Sequence, residues 1–338
     1  MEKQNLYEVS FIRSILIVLL VAYHSFAIYS GAWIEPDGIV GVTSYGWIAR
    51  SSYAFMLETF VLISGYLWAY QRESLGKLKG FFQTIVNKFD RLIIPCLVFG
   101  VLYVCIFEGY SELRNNLLSL WGGVGHLWFL PMLFWCFVLG YPIVNIKCKL
   151  VLKFSSLLLL VLGSILSLPF ALSTAFYYLL FLIAGYYLWT FKDNILSFVD
   201  KNFSRIKLII ILWVVFAVLF ILGSIGMDAF AEIKDNSTLV KILYHITNKY
   251  VRVLYSSVGV IAMWLTAIQI TQKRSLKEWY VNLGKYCMGV YIFQQFIIKY
   301  VIYDTPLAIS VGYYWLPWFV FAMALGGSLL LSYTVKKL

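Results

Sequence analysis

Residues 9–31 read VSFIRSILIVLLVAYHSFAIYSG, and this run decides the fold. It is apolar for longer than the roughly 18–20 residues a helix needs to cross the hydrocarbon of a bilayer. It has no period-two alternation, so it does not read as a barrel strand. It is too long for the apolar part of a secretory leader and lacks a clear small-residue cleavage site, so it reads as a retained helix. Comparable runs recur to the end of the chain, at 46–70, 91–108, 126–146, 151–170, 172–191, 206–226, 252–272, 283–303 and 313–335. A very short turn at Leu168-Pro169-Phe170 separates two of them, and Pro169 favours the break. The fold class is therefore all-α: a polytopic membrane protein, a bundle of about ten transmembrane helices. Short loops leave room for one membrane-embedded domain over 1–338.

Composition agrees. Of 338 residues, 62% are hydrophobic and 13% charged, where a soluble domain carries about 25% charged. The mean hydropathy is +0.82. The net charge of +11 is explained by the gathering of Lys and Arg on the cytoplasmic side of membrane proteins. With the N-terminus inside, 20 of the 27 basic residues fall in cytoplasmic segments, which places both termini in the cytoplasm. Nucleic acid is not an expected partner, because the cations are scattered among short loops. Residues 227–252 read as the longest outer loop, a lid or an amphipathic stretch. Cys96, Cys105, Cys136, Cys148 and Cys287 form no C-x-x-C pair, so neither a disulfide framework nor a metal site is expected. No Walker or dinucleotide-binding glycine motif is present, which leaves ATP hydrolysis and hydride transfer unsupported.

Ionisable residues inside membrane helices are costly and mark candidate sites. Arg13 and His24 are 11 residues apart on the first helix. That spacing is three turns plus about 20°, so both lie on one face, separated by about 16 Å along the axis. Snorkelling of Arg13 to lipid phosphate and packing of His24 are the plain alternatives. Glu58 falls near mid-membrane on the second helix. There it can orient or charge-balance an imidazole, or make a packing hydrogen bond or a pair with Arg50. His126 and Trp128 start the fourth helix at the outer side, where such residues also serve as interfacial anchors. Lys77, Lys79, Lys88 and Arg91 line a cytoplasmic hairpin. Positive-inside charge accounts for them, and so does a phosphate-rich nucleotide.

Five segments carry a resemblance. They are Phe11-Ile12-Arg13 with Val21-Ala22-Tyr23-His24-Ser25; Phe60-Val61-Leu62-Ile63-Ser64-Gly65-Tyr66-Leu67; Lys88-Phe89-Asp90-Arg91-Leu92-Ile93-Ile94-Pro95; His126-Leu127-Trp128-Phe129-Leu130; and Leu283-Gly284-Lys285-Tyr286-Cys287-Met288-Gly289-Val290-Tyr291. In this order the chain resembles the membrane-bound acyltransferase 3 family along its whole length. The sequence departs from many members at Ser10, where an acid is common, and at Gln294, where a His is common. The resemblance implies transfer of an acyl group, most often acetyl, from cytoplasmic acyl-CoA to a hydroxyl of a surface or lipid-linked carbohydrate. The expected setting is the bacterial cytoplasmic (inner) membrane, with no bound cofactor and acyl-CoA (acetyl-CoA) as donor substrate. His24 is then the base or a transient acyl carrier, and Glu58 its orienter. Arg13, Lys88 and Arg91 hold acyl-CoA, and His126 and Trp128 the acceptor. An exporter of polysaccharide or lipid-linked sugar, or a scaffold without chemistry, fits the composition equally well.

Overall fold

The first apolar run folds as helix α1 (Tyr7–Ser25), closed by the amide of Phe26 on the Ala22 carbonyl. It is followed by a 3-10 turn at Ala27–Ser30 and a left-handed Gly31. In this computed structural model, residues 6–33, 41–76, 80–113, 115, 117–145, 158–159, 162–163, 166–233, 237–272, 277–303 and 305–337 are described. They contain α2 (Thr43–Tyr53), α3 (Met56–Glu73), α4 (Phe81–Phe107), α5 (Gly125–Asn145), α6 (Leu172–Thr190), α7 (Lys192–Asn202), α8 (Arg205–Ile233), α9 (Thr238–Thr271), α10 (Lys277–Gly284), α11 (Cys287–Phe296) and α12 (Leu316–Lys337). No strand occurs among the described residues.

Seven of these helices, α1, α4, α5, α6, α8, α9 and α12, are long and apolar enough to cross a membrane. They correspond to seven of the ten runs read from sequence. The run at 46–70 is instead broken at Ala54–Phe55 into α2 and α3. The run at 283–303 is α11 followed by a π-helical stretch, Ile297–Tyr303. Most of 151–170 lies outside the described residues, although the break at Pro169 is seen: Phe170 and Ala171 are left-handed and α6 starts at Leu172. The segment 227–252, read as an outer loop forming a lid or an amphipathic stretch, takes the second form. It is helical in α8 and α9 on both sides of residues 234–237. Its polar residues Lys241, His245, Lys249 and Arg252 recur at helical spacing, so they line one face rather than break the helix.

α8 shows most directly what solvent the fold expects. Its apolar window is only 11% buried, and Ile210, Ile211, Val214, Leu222 and Ile225 point outward. A helix apolar all round with its side chains exposed has hydrocarbon as its solvent.

Among the described residues the chain forms two compact units, one within 58–258 and the other combining 6–57 with 259–337. In the first, α3 and α6 cross at glycine. A Cβ on Gly65 would collide with the Leu182 carbonyl, and one on Gly185 with the Leu62 carbonyl. Such small-residue crossings let helix backbones approach where no hydrophobic effect drives them together. In α4 the segment Phe89–Ile93 is π-helical just ahead of Pro95. The proline ring would strike the carbonyl four residues back in a regular helix, and the wider turn relieves it. In the second unit, Ser14 donates to the Tyr280 carbonyl at 2.7 Å. A Cβ on Gly284 would sit 3.1 Å from the Ser10 carbonyl. These contacts seat α10 along α1.

Candidate active site

In the second unit, α1 runs unbroken through Arg13 and His24, so the stripe drawn from sequence is real. α11 lies beside it in the same direction. The Cys287 thiol donates to the Arg13 carbonyl at 3.3 Å, and seven residues on, Gln294 meets the His24 ring. Arg13 is half-buried, and among the described residues no side chain pairs with its guanidinium. His24 is 7% exposed. Its Nδ1 lies 2.6 Å from Gln294 Nε2 and its Nε2 lies 3.4 Å from Gln295 Nε2. The Trp33 ring stacks on the imidazole, centroids 5.4 Å apart and planes 19° from parallel. Tyr23 packs against it at 5.0 Å and itself stacks on Tyr53. The ring plane is therefore fixed by aromatics and both nitrogens are met by amides.

Glu58, in the first unit, is fully buried. Its Oε1 accepts from Arg252 Nε at 2.7 Å and from the Tyr177 hydroxyl at 2.9 Å. Within its unit, its charge is thus balanced by Arg252. Arg252 also donates to the Tyr178 hydroxyl at 3.4 Å. The Tyr178 ring lies 6.3 Å from that of Trp128, which is half-buried. His126 sits in the 3-10 turn before Phe129 and is buried beside Tyr103, so it is not an exposed anchor.

Lys88 and Arg91 share a cavity of about 120 Å³ with Trp68, Gln71, Arg72, Thr84 and Asn87. Arg72 is the cation that sequence reading passed over. Its guanidinium carbon lies 5.5–5.9 Å from the Trp68, Tyr141 and Tyr186 rings, and Nη2 donates to Asn145 Oδ1 at 3.0 Å. Its Nε and Nη1 are buried without a hydrogen-bond partner. Lys88 Nζ sits 3.6 Å above the Phe137 ring. A guanidinium held on aromatic faces with two donors left over is suited to an oxyanion ligand.

Within the first unit, then, the structure brings together Lys88 with Arg91 and Trp128 with the Glu58 pair through Tyr178, and in the second Arg13 and His24 share α1. It adds Arg72, Arg252 and Gln295, and places Gln294, noted in the sequence as a departure from the family, at the His24 ring. The helical spacing of charges in 241–252 was a usable signal for Arg252, and two adjacent amides in an apolar run were one for Gln294 and Gln295. Arg72 has no such mark among the cytoplasmic cations.

Comparison with curated proteins and with solved structures returned no significant match. A family model described as an acyltransferase domain matches residues 6–337, almost the whole chain, and the chain therefore belongs to the acyltransferase 3 family.

Proposed function

We propose that this membrane acyltransferase moves an acyl group, acetyl foremost, from cytoplasmic acyl-CoA to a hydroxyl of a surface or lipid-linked carbohydrate. In this reading the chain crosses a bacterial cytoplasmic membrane about ten times with both termini inside. The observation that carries the reading is the cavity at Arg72, Lys88 and Arg91. Its volume of about 120 Å³ equals that of about four waters, a size for one phosphate group rather than a whole nucleotide. Buried guanidinium donors without partners are a cost in a protein interior unless an anion supplies acceptors. An exporter of neutral sugar has no use for such a site, whereas CoA carries three phosphates. Arg13, on the His24 helix, provides a further contact for the donor.

His24 supplies the chemistry. As base, its Nε2 takes the proton of the acceptor hydroxyl while the oxygen attacks the thioester carbonyl. The tetrahedral intermediate then expels the thiolate, which recovers the proton, giving ester and free CoA. In the nucleophilic variant Nε2 carries the acyl group before the sugar takes it. Trp128, with Tyr178 beside it and His126 in the same 3-10 turn, offers an aromatic face for the sugar ring, and the Glu58–Arg252 pair holds Tyr178 in place.

The test is acyl transfer by purified protein in proteoliposomes, with and without His24→Ala. Loss of a general base costs about 10²–10⁴-fold in rate. Wild-type product from the variant would end the proposal. Mass spectrometry of surface glycan from cells with and without the gene adds an independent arm. Altered ester content supports transfer, whereas loss of whole polymer indicates export.

A further inference from the structure

We propose that Gln294 is a positioning residue that sets which nitrogen of His24 carries the proton. The proposal rests on the reading of His24 as the general base and adds to it the group that makes Nε2 the basic atom. Gln294 and Gln295 are consecutive on α11, 0% and 3% exposed. The Oε1 atoms of both are buried without a partner. The two ring contacts are unequal: 2.6 Å at Nδ1 and 3.4 Å at Nε2. The second is longer than the 2.7–3.2 Å typical of a nitrogen donor. Nδ1 is therefore closed off by Gln294, and Nε2 is the nitrogen with the looser contact.

A neutral imidazole has one N–H and one lone pair. If Nε2 is to receive a proton, Nδ1 must hold the existing one, and the group facing Nδ1 must accept it. Gln294 can do so through Oε1. The two ends of a carboxamide exchange places by a half-turn about its last torsion, with little change in shape. That half-turn gives Nδ1–H···Oε1 and satisfies a buried oxygen that otherwise has no donor. The ring cannot answer by rotating instead, because Trp33 and Tyr23 pack on it. Gln295, next to Nε2, keeps its N–H toward the incoming oxygen. An amide does for His24 what a carboxylate does in the serine-hydrolase triad, where the wrong tautomer is costly, but without adding a charge.

The experiment uses the full-length protein in proteoliposomes. It holds three histidines, so ¹⁵N-histidine labelling gives few signals and those of His24 are identified by their loss in His24→Ala. The wild type is expected to carry its proton on Nδ1. Gln294→Met, of similar volume but without an acceptor, is expected to lose that preference. Its kcat should fall about 10–100-fold, the range for removing an orienting partner, with KM for acyl-CoA unchanged. Gln294→Glu restores an oxygen at this position and should recover both the Nδ1 proton and most of kcat. A wild-type proton on Nε2 overturns the proposal by itself, even where a variant fails to fold. So does wild-type kcat in Gln294→Met, or failure of folded Gln294→Glu to recover. Full transfer by His24→Ala would instead overturn the base reading, and this proposal with it.

Discussion

The buried pair Arg252–Glu58 gives the most direct physical test of the fold. In Arg252→Met the fully buried Glu58 keeps one hydrogen bond, from Tyr177, and its Oε2 has none to begin with. Removing one member of a wholly buried pair costs about 3–5 kcal/mol. The Arg252 side chain is 24% exposed, so water offsets part of the lost attraction, and about 2–4 kcal/mol is expected. The charge left behind is the cause, so Glu58→Gln introduced into Arg252→Met should recover all but about 1 kcal/mol, the worth of an ordinary hydrogen bond. The assay is unfolding in mixed micelles titrated with SDS, followed by circular dichroism, with both single variants and the double. A coupling of about 1–3 kcal/mol is expected. Additive losses in the double variant, or a wild-type midpoint for Arg252→Met, would refute the view that this pair neutralises a buried carboxylate.

Gly65→Ala should destabilise by about 1–3 kcal/mol in the same assay, because the new methyl meets the Leu182 carbonyl and the helices must part. Gly226→Ala, with nothing within 4 Å, should be neutral or stabilising by up to about 1 kcal/mol. Arg72→Gln should weaken CoA binding about 10–100-fold by titration calorimetry, as expected for losing charged hydrogen bonds of about 1.5–3 kcal/mol. Its transfer rate at saturating donor should change far less. Trp128→Ala should raise the acceptor KM about 2–10-fold, matching the roughly 0.5–1.5 kcal/mol of an aromatic contact, and leave the acceptor-independent hydrolysis of acyl-CoA unchanged.

What the sequence displayed was whatever depends on runs and periods. Seven spans followed from apolar length, the Arg13–His24 stripe from 100° per residue, and the break at Pro169 from a ring that cannot continue a helix. The rest depends on partners far away in the chain. Lys241, Lys249 and Arg252 lowered the hydropathy of 227–252 and made it read as a loop, yet their spacing keeps them on one face of α9. Glu58 declared itself as a buried carboxylate, but its cation lies 194 residues on. The ends of the 46–70 run carry no proline, so the break at Ala54–Phe55 was invisible to a reading based on breakers. Gln295 escaped because the reading sought charges, and Gln294 was noted only as a departure from the family, although amides in membrane helices commonly hydrogen-bond to neighbouring helices.

Glu58 and Arg72 show why burial of a charge is a poor guide to its role until its partners are counted. In a low-dielectric interior each charge needs a counter-charge or several dipoles. Arg252 supplies the counter-charge to Glu58 inside the fold, although Glu58 Oε2 has no hydrogen-bond partner, and removing either member exposes a cost that belongs to stability. Arg72 is met only in part. Three aromatic faces and one amide hold the guanidinium, while Nε and Nη1 have no partner beside a cavity shared with Lys88 and Arg91. No carboxylate is supplied to them from within the described residues of that cavity. A site that gathers three cations and leaves donors unspent is raised in energy by their mutual repulsion, and an incoming phosphate relieves it. The same reasoning separates the two variants experimentally. Loss of Arg252 should weaken the fold whether or not CoA is present, whereas loss of Arg72 should leave the unliganded protein as stable as the wild type, or more so, and remove only the stabilisation that CoA confers.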